Sequence, residues 1–175
     1  MGRTLNIPQK TAQYMHSLAN QFEEEVAGRL LYRQEGNEAM VDTAYITGTG
    51  TETCLNEDND SLEVIRDLLN DNPDWSQAPF HTHTNKTVDK HGEYFAYNWS
   101  RQDLSQIEQG IARDHNYMAV LVTPEKILVE GADNPDVYIS QGQSLYREPV
   151  LDALEQTEDK LGYDRTLEDL DLTEY

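Results

Sequence analysis

Pro79-Phe80-His81-Thr82-His83, followed after a polar stretch by Trp99-Ser100-Arg101-Gln102-Asp103, is the part of the chain on which the reading of the rest depends. His81 and His83 are two residues apart. In extended chain both imidazoles leave the same face about 6.6 Å apart along the strand, within reach of one shared metal. Asp103 offers a carboxylate as third ligand. A His, His, carboxylate set leaves a fourth position open for water, as catalytic zinc sites do, and zinc in such a site lowers the pKa of bound water to about 7. Two plainer readings stand beside this one. Histidines two apart on a strand also occur as surface or core residues, and Ser100-x-x-Asp103 has the form of a helix capping box, with Asp in place of the usual Glu.

Upstream, Tyr14, Met15, Leu18, Ala19 and Phe22 recur at helical spacing behind Pro8 and predict an amphipathic helix over 11–22 with one buried stripe. The acidic trio Glu23-Glu24-Glu25 leads into Val26-Ala27-Gly28-Arg29-Leu30-Leu31-Tyr32, short and apolar enough for a buried strand. A turn at Glu35-Gly36-Asn37 separates it from a second strand over 39–47, so the pair is expected to form a hairpin. Residues 48–51 and 56–60 read as polar loop. Leu62, Ile65, Leu68 and Leu69 mark a second helix, with Ser61 as its expected N-cap and Pro73 beyond its end. From Ser100 a third helix carries Leu104, Ile107 and Ile111. Strands are expected over 117–122 and 126–130, then a short apolar piece over 137–139. A last helical pattern runs through Leu145, Val150, Leu151, Leu154 and Leu161 before an acidic end. This order of elements describes a small α/β domain.

With 175 residues the chain has the length of one domain and a tail. Its 33 acidic residues against 13 basic ones leave a formal net charge of -20. Phosphate binding requires a basic patch, and none is visible, so nucleic acid is not expected as a partner. The carboxylates are spread between apolar runs, which points to a folded, salt-adapted (halophilic) protein and not to a disordered acidic one. Molar salt would screen their mutual repulsion to about 3 Å. Cys54 is alone and can form no internal disulfide. No apolar run approaches the length of a membrane span, and the first six residues lack the apolar core of a signal peptide. The expectation is a soluble, cytoplasmic protein with no membrane partner.

A hydrolytic metal site also needs a group that takes a proton from water and passes it to the leaving amine. A partly buried carboxylate suits that work. Glu23, Glu24 and Glu25 stand at the start of a core strand, and spacing alone does not choose among them. Ser100, three residues before Asp103, shares the same helix end and is placed to stabilise an oxyanion.

Together with Glu25-Val26-Ala27-Gly28-Arg29-Leu30-Leu31, these pieces resemble the JAMM family, the catalytic MPN domains. That family's pattern is a glutamate three residues before a glycine on the first strand, His-Ser/Thr-His after the second helix, and Ser-x-x-Asp opening the third. All appear here in that order, over roughly residues 6–130. The resemblance implies a single MPN domain over 1–150, a mixed curved β-sheet flanked by helices with a cytidine-deaminase-like arrangement, followed by a C-terminal helix and acidic tail over 151–175. It implies Glu25 as general acid/base, His81, His83 and Asp103 as ligands of one zinc ion per chain, and Ser100 as oxyanion stabiliser. The activity implied is hydrolysis of a peptide or isopeptide bond in a protein or peptide substrate, such as removal of a ubiquitin-like modifier in a halophilic prokaryote. The alternatives are a non-catalytic MPN domain serving as an interaction module, and a zinc hydrolase acting on something other than a protein conjugate.

The chain departs from the family pattern in one place. The family has proline after the second histidine and about seven residues before the serine, whereas Thr84 follows here and sixteen residues, 84–99, intervene. This insertion beside the metal carries Tyr94, Phe95 and Tyr97, which are expected either to contact substrate as a lid or docking ridge or to pack down as part of an ordinary surface loop. His16 and His115 have no partner pattern and read as structural.

Overall fold

The computed structural model describes residues 2–51, 54–87, 92 and 97–141. Among them the elements follow in the order β1 (Thr4–Pro8), α1 (Gln9–Gln21), β2 (Glu25–Glu35), β3 (Glu38–Thr51), β4 (Cys54–Glu57), α2 (Asn59–Asp71), β5 (Trp75–Thr82), α3 (Arg101–Arg113), β6 (Met118–Val122), β7 (Ile127–Gly131) and β8 (Asp136–Ser140). The strands form one mixed sheet of order β7-β6-β5-β2-β3-β1-β8, with β4 paired to β3. β1 runs parallel to β3 and β8, and β5 runs parallel to β6; the other pairs are antiparallel. The edge strands β7 and β8 touch, so the sheet is nearly closed into a barrel.

The long strand β3 supplies part of that curl. Ala27 pairs with Gly48 and Gly28 with Ile46, leaving Thr47 extra on β3; Leu31 pairs with Thr43 and Tyr32 with Val41, leaving Asp42 extra. Such bulges bend a strand and increase its twist. Each extra residue is polar and finds a partner: Thr47 Oγ1 donates to Glu57 Oε2 at 2.6 Å, and Asp42 pairs with Arg33 at 3.2 Å.

Alternation along the central strands sorts their side chains between two cores. Val26, Leu30 and Tyr32 of β2 and Ala78 and Phe80 of β5 join the α1 stripe of Tyr14, Met15, Leu18 and Ala19. Leu31, Tyr45 and Trp75 point the other way and pack on Ile65 and Leu68 of α2. Each fully buried side chain of that size contributes about 1.5–3 kcal/mol relative to exposure. All five residues of β6 are buried, as expected where both faces of a strand are covered.

The three helices and the central strands lie where their apolar spacing predicts. Three local readings are corrected. The first strand, β1, was expected as no element at all. β3 continues through 48–51 and β4 (Cys54–Glu57) includes 56–57, residues expected as polar loop. The N-cap of α2 is Asp58, not Ser61: Asp58 Oδ2 accepts from the Ser61 N–H at 3.1 Å and from its hydroxyl at 2.9 Å, and Ser61 is buried inside the first turn. The expected last helix, the acidic tail, Tyr94 and Phe95 lie outside the described residues. Among the described residues no helix is long and apolar enough to cross a membrane.

Candidate functional site

β2 and β5 are antiparallel neighbours, with Ala27 opposite His81 and Gly28 opposite Phe80. The ladder ends at Ala27 and His81, and the His83 N–H turns to the Val122 carbonyl at 2.9 Å. The Val26 N–H donates to Thr82 Oγ1 at 2.8 Å, which ties the start of β2 to the residue between the two histidines. Since Val26 and Phe80 point to the α1 side, Glu25, Ala27, His81 and His83 share the opposite face. Ala27 leaves room beside His81. Gly28 is needed for a different reason: a Cβ there would overlap the Phe80 ring and the Tyr45 carbonyl oxygen. The glutamate-x-x-glycine spacing therefore has a packing cause.

α3 lies against β6 and β7, and its first turn brings Asp103 to the histidines. Asp103 Oδ2 is 3.4 Å from His81 Nε2 and 4.0 Å from His83 Nε2, and ligand atoms of all three residues lie within 4.8 Å of one another. For bonds of about 2.1 Å at the tetrahedral angle, zinc ligands stand about 3.4 Å apart. The Asp103–His81 spacing already has that value, the Asp103–His83 spacing is 4.0 Å and no pair exceeds 4.8 Å, so these residues could hold a metal ion if the histidines close in. Their side chains are 16%, 8% and 18% exposed for His81, His83 and Asp103, mostly buried but not sealed from solvent. The His81 ring meets His83 edge-on at 5.2 Å between centroids and Trp99 at 6.0 Å, so Trp99 forms a wall of the site.

The capping-box reading of Ser100 and Asp103 also holds. Ser100 Oγ accepts from the Asp103 N–H at 3.0 Å, and the Ser100 N–H donates to Asp103 Oδ2 at 2.9 Å. The box does not compete with the cluster, because it fixes the carboxylate that the histidines approach. Burial raises the Asp103 carboxyl, but the hydrogen bond and charge of His81 and the two Ser100 bonds outweigh it and hold the group well below the usual carboxylate range. Asp103 is ionised at neutral pH, the state a ligand needs. Ser100 is exposed, and its oxygen accepts from the helix, which leaves the hydroxyl proton for another acceptor.

Of the acidic trio, Glu23 and Glu24 are exposed and Glu25 is 4% exposed. Glu25 Oε1 accepts from the Thr87 hydroxyl at 3.1 Å, and Thr87 Oγ1 accepts from the Thr84 N–H at 3.3 Å. Thr84 Oγ1 in turn donates to the Glu23 carbonyl at 3.2 Å. A cleft of about 40 Å³ opens here, with Glu25, Gly50, Thr84 and Thr87 in its lining. The structure thus brings together His81, His83, Asp103 and Ser100, with Glu25 on the same face. Tyr97 is half-buried two residues before Trp99. Thr82, Thr84, Thr87 and Trp99 were not singled out from the sequence as site residues. Thr82, enclosed by the His-x-His pattern, and Thr84, where the JAMM pattern has proline, carried a signal.

No family model matches the sequence, and no curated protein matches it. Among solved structures, the chain is similar to protein DSY2949 from Desulfitobacterium hafniense, whose structure was determined in solution. The two share 17% identity over 79% of this chain and 94% of that one, with a TM-score of 0.54. The likeness concerns the fold alone: a mixed α/β domain whose eight-stranded sheet is flanked by helices and nearly barrel-shaped.

Proposed function

We propose that the chain is a zinc-dependent metallopeptidase of the JAMM type that hydrolyses a peptide or isopeptide bond. The observation that carries this is the convergence of His81, His83 and Asp103 within 4.8 Å on the face that also holds the buried Glu25. His81, His83 and Asp103 would hold the zinc, which when bound supplies a Lewis acid and a nucleophilic water near neutral pH. Glu25, oriented through Oε1, takes the proton from water and hands it to the leaving nitrogen. The Ser100 hydroxyl donates to the oxygen that gains negative charge. Trp99 shields His81 from solvent on one side. The MPN arrangement of the sheet belongs to this same proposal, as does the substrate class. By analogy of family, the bond would join the carboxyl end of a ubiquitin-like modifier to a lysine ε-amine in a salt-adapted prokaryote.

The test uses full-length protein purified in molar salt without chelator. Zinc near one ion per chain is expected by mass spectrometry. A quenched-fluorescent isopeptide, with a glycine carboxyl joined to a lysine ε-amine, is expected to be cleaved. Glu25→Gln should keep the zinc and lower kcat by about 10²–10⁴-fold. Cleavage that survives Glu25→Gln removes Glu25 from its role. A protein that neither carries nor takes up zinc is instead the non-catalytic interaction module.

A further inference from the structure

Glu25 is the first residue of β2, preceded by two exposed glutamates, so its backbone alone does little to aim its carboxylate. A group that bonds the carboxylate comes from elsewhere in the chain. Thr87 is 7% exposed, and its hydroxyl makes two bonds of opposite sense, accepting from the Thr84 N–H at 3.3 Å and donating to Glu25 Oε1 at 3.1 Å. A hydroxyl has a single proton. With a lone pair of Oγ1 engaged by an N–H, that proton is directed to the carboxylate, where an O–H···O⁻ bond is charge-assisted. The β-branched side chain of Thr87 further restricts its rotation.

We propose that Thr87 is a positioning residue that fixes the orientation of the Glu25 carboxylate, and that Thr84 enables it by supplying the backbone N–H that polarises the Thr87 hydroxyl. The inference rests on the reading of Glu25 as general base. Position 84 is where the chain departs from the pattern it resembles, and the physical content of that departure is now visible. A proline there would have no N–H to give. The same short segment is fastened to the chain leading into Glu25. Thr84 Oγ1 donates to the Glu23 carbonyl, Lys86 Nζ lies 3.7 Å from Glu23 Oε2, and Asn85 Nδ2 donates to the Asn20 carbonyl and side-chain oxygens at 3.4 Å. The root of the 84–99 insertion therefore carries the donor to the base and is anchored beside it.

The experiment compares Thr87→Val, which keeps the shape and removes the hydroxyl, with Thr87→Ser, which keeps the hydroxyl, both as zinc-loaded full chains. On the isopeptide probe, Thr87→Val is expected to lower kcat about 10- to 100-fold, the scale of a roughly 1 Å misplacement of a catalytic group, with KM and zinc content unchanged. Thr87→Ser should stay within about 3-fold of wild type, since it retains the donor. Equal kcat for wild type and Thr87→Val overturns the proposal, as does a serine variant no better than the valine one. If the valine variant does not fold, Thr87→Ala is read in the same way. Should wild type cleave nothing, the proposed reaction fails by itself. Crystal structures of wild type and Thr87→Val then decide the point about Thr87: a reoriented Glu25 carboxylate supports it and an unmoved one overturns it.

Discussion

Glu25 opens a strand and Asp103 opens a helix, and the protein holds these two carboxylates differently. Asp103 stands in the first turn of α3, where the helix N-terminus favours an anion, with Oδ2 bonded by the Ser100 N–H and facing two imidazoles. Glu25 is buried where Asp103 is only partly so, and it takes a bond from a neutral hydroxyl on a connecting segment. The first arrangement stabilises a permanent negative charge. The second includes a hydroxyl donor that gives one carboxylate oxygen a direction. A metal ligand must remain deprotonated, whereas a general base must gain and lose a proton in each cycle. On the proposed reading, Asp103 has the first task and Glu25 the second.

The sharpest way to break the contrast is to remove each carboxylate in turn. Asp103→Ala should weaken zinc binding by at least about 100-fold, beyond the 10- to 100-fold that loss of a supporting group usually costs. It should also lower the stability of the metal-free protein by about 1 kcal/mol, because its side chain closes the α3 capping box. Glu25→Gln should leave zinc affinity near that of wild type. Chelator competition measures both, and equal losses in the two variants would dissolve the distinction between ligand and base.

A smaller effect separates the two jobs at α3 itself. Ser100→Ala removes the acceptor for the Asp103 N–H and should cost about 1 kcal/mol, or roughly 2–4 °C in Tm. A fall in kcat well beyond what zinc loss explains would show that the hydroxyl also serves the reaction; kcat unchanged at full zinc occupancy would leave Ser100 as a cap only.

The smallest effect is read by acid titration of the metal-free protein. His16 is 4% exposed on α1, and burial lowers its pKa below the ordinary 6.5. A histidine whose folded pKa is depressed binds its proton more readily when unfolded, so stability is lost as pH falls below about 6.5. Asp103 behaves otherwise: its depressed pKa contributes stability above the ordinary 3.8 that is lost only at lower pH. Denaturant titrations should therefore show an early decline, removed by His16→Gln, before the acid loss to which Asp103 contributes. An early decline that persists in His16→Gln assigns it to another group.

What could be read from sequence was what is encoded locally. The α1 stripe, the His-x-His alternation and the Ser100-x-x-Asp103 box each place their residues through helix or strand period alone, and the structure puts them where those periods require. β1 was not read, because Thr4-Leu5-Asn6-Ile7 alternates over only four residues before Pro8, too short a run to decide by itself, and it becomes a strand by lying between β3 and β8. β4 was hidden in a polar, acidic setting, and its approach to β3 depends on Gly48, where a Cβ would strike the Asn56 carbonyl. Asp58 and Ser61 are both good caps, and only the hydrogen bonds choose between them. Thr87 is an unremarkable loop threonine until the fold brings it to a carboxylate 62 residues away. Local periods are written in the chain, whereas contacts across the sheet are settled by packing.

Gly28 has a reach that its size conceals. The Phe80 ring lies where a side chain at Gly28 would be, and Phe80 is joined directly to His81. Even a methyl group at position 28 would have to push the ring, and with it the strand that bears both histidines, away from the strand that begins at Glu25. The separation between those groups is thus a dimension of the core, gauged by a hydrogen atom on the far side of the sheet. A site of this kind can be detuned without altering any residue that belongs to it.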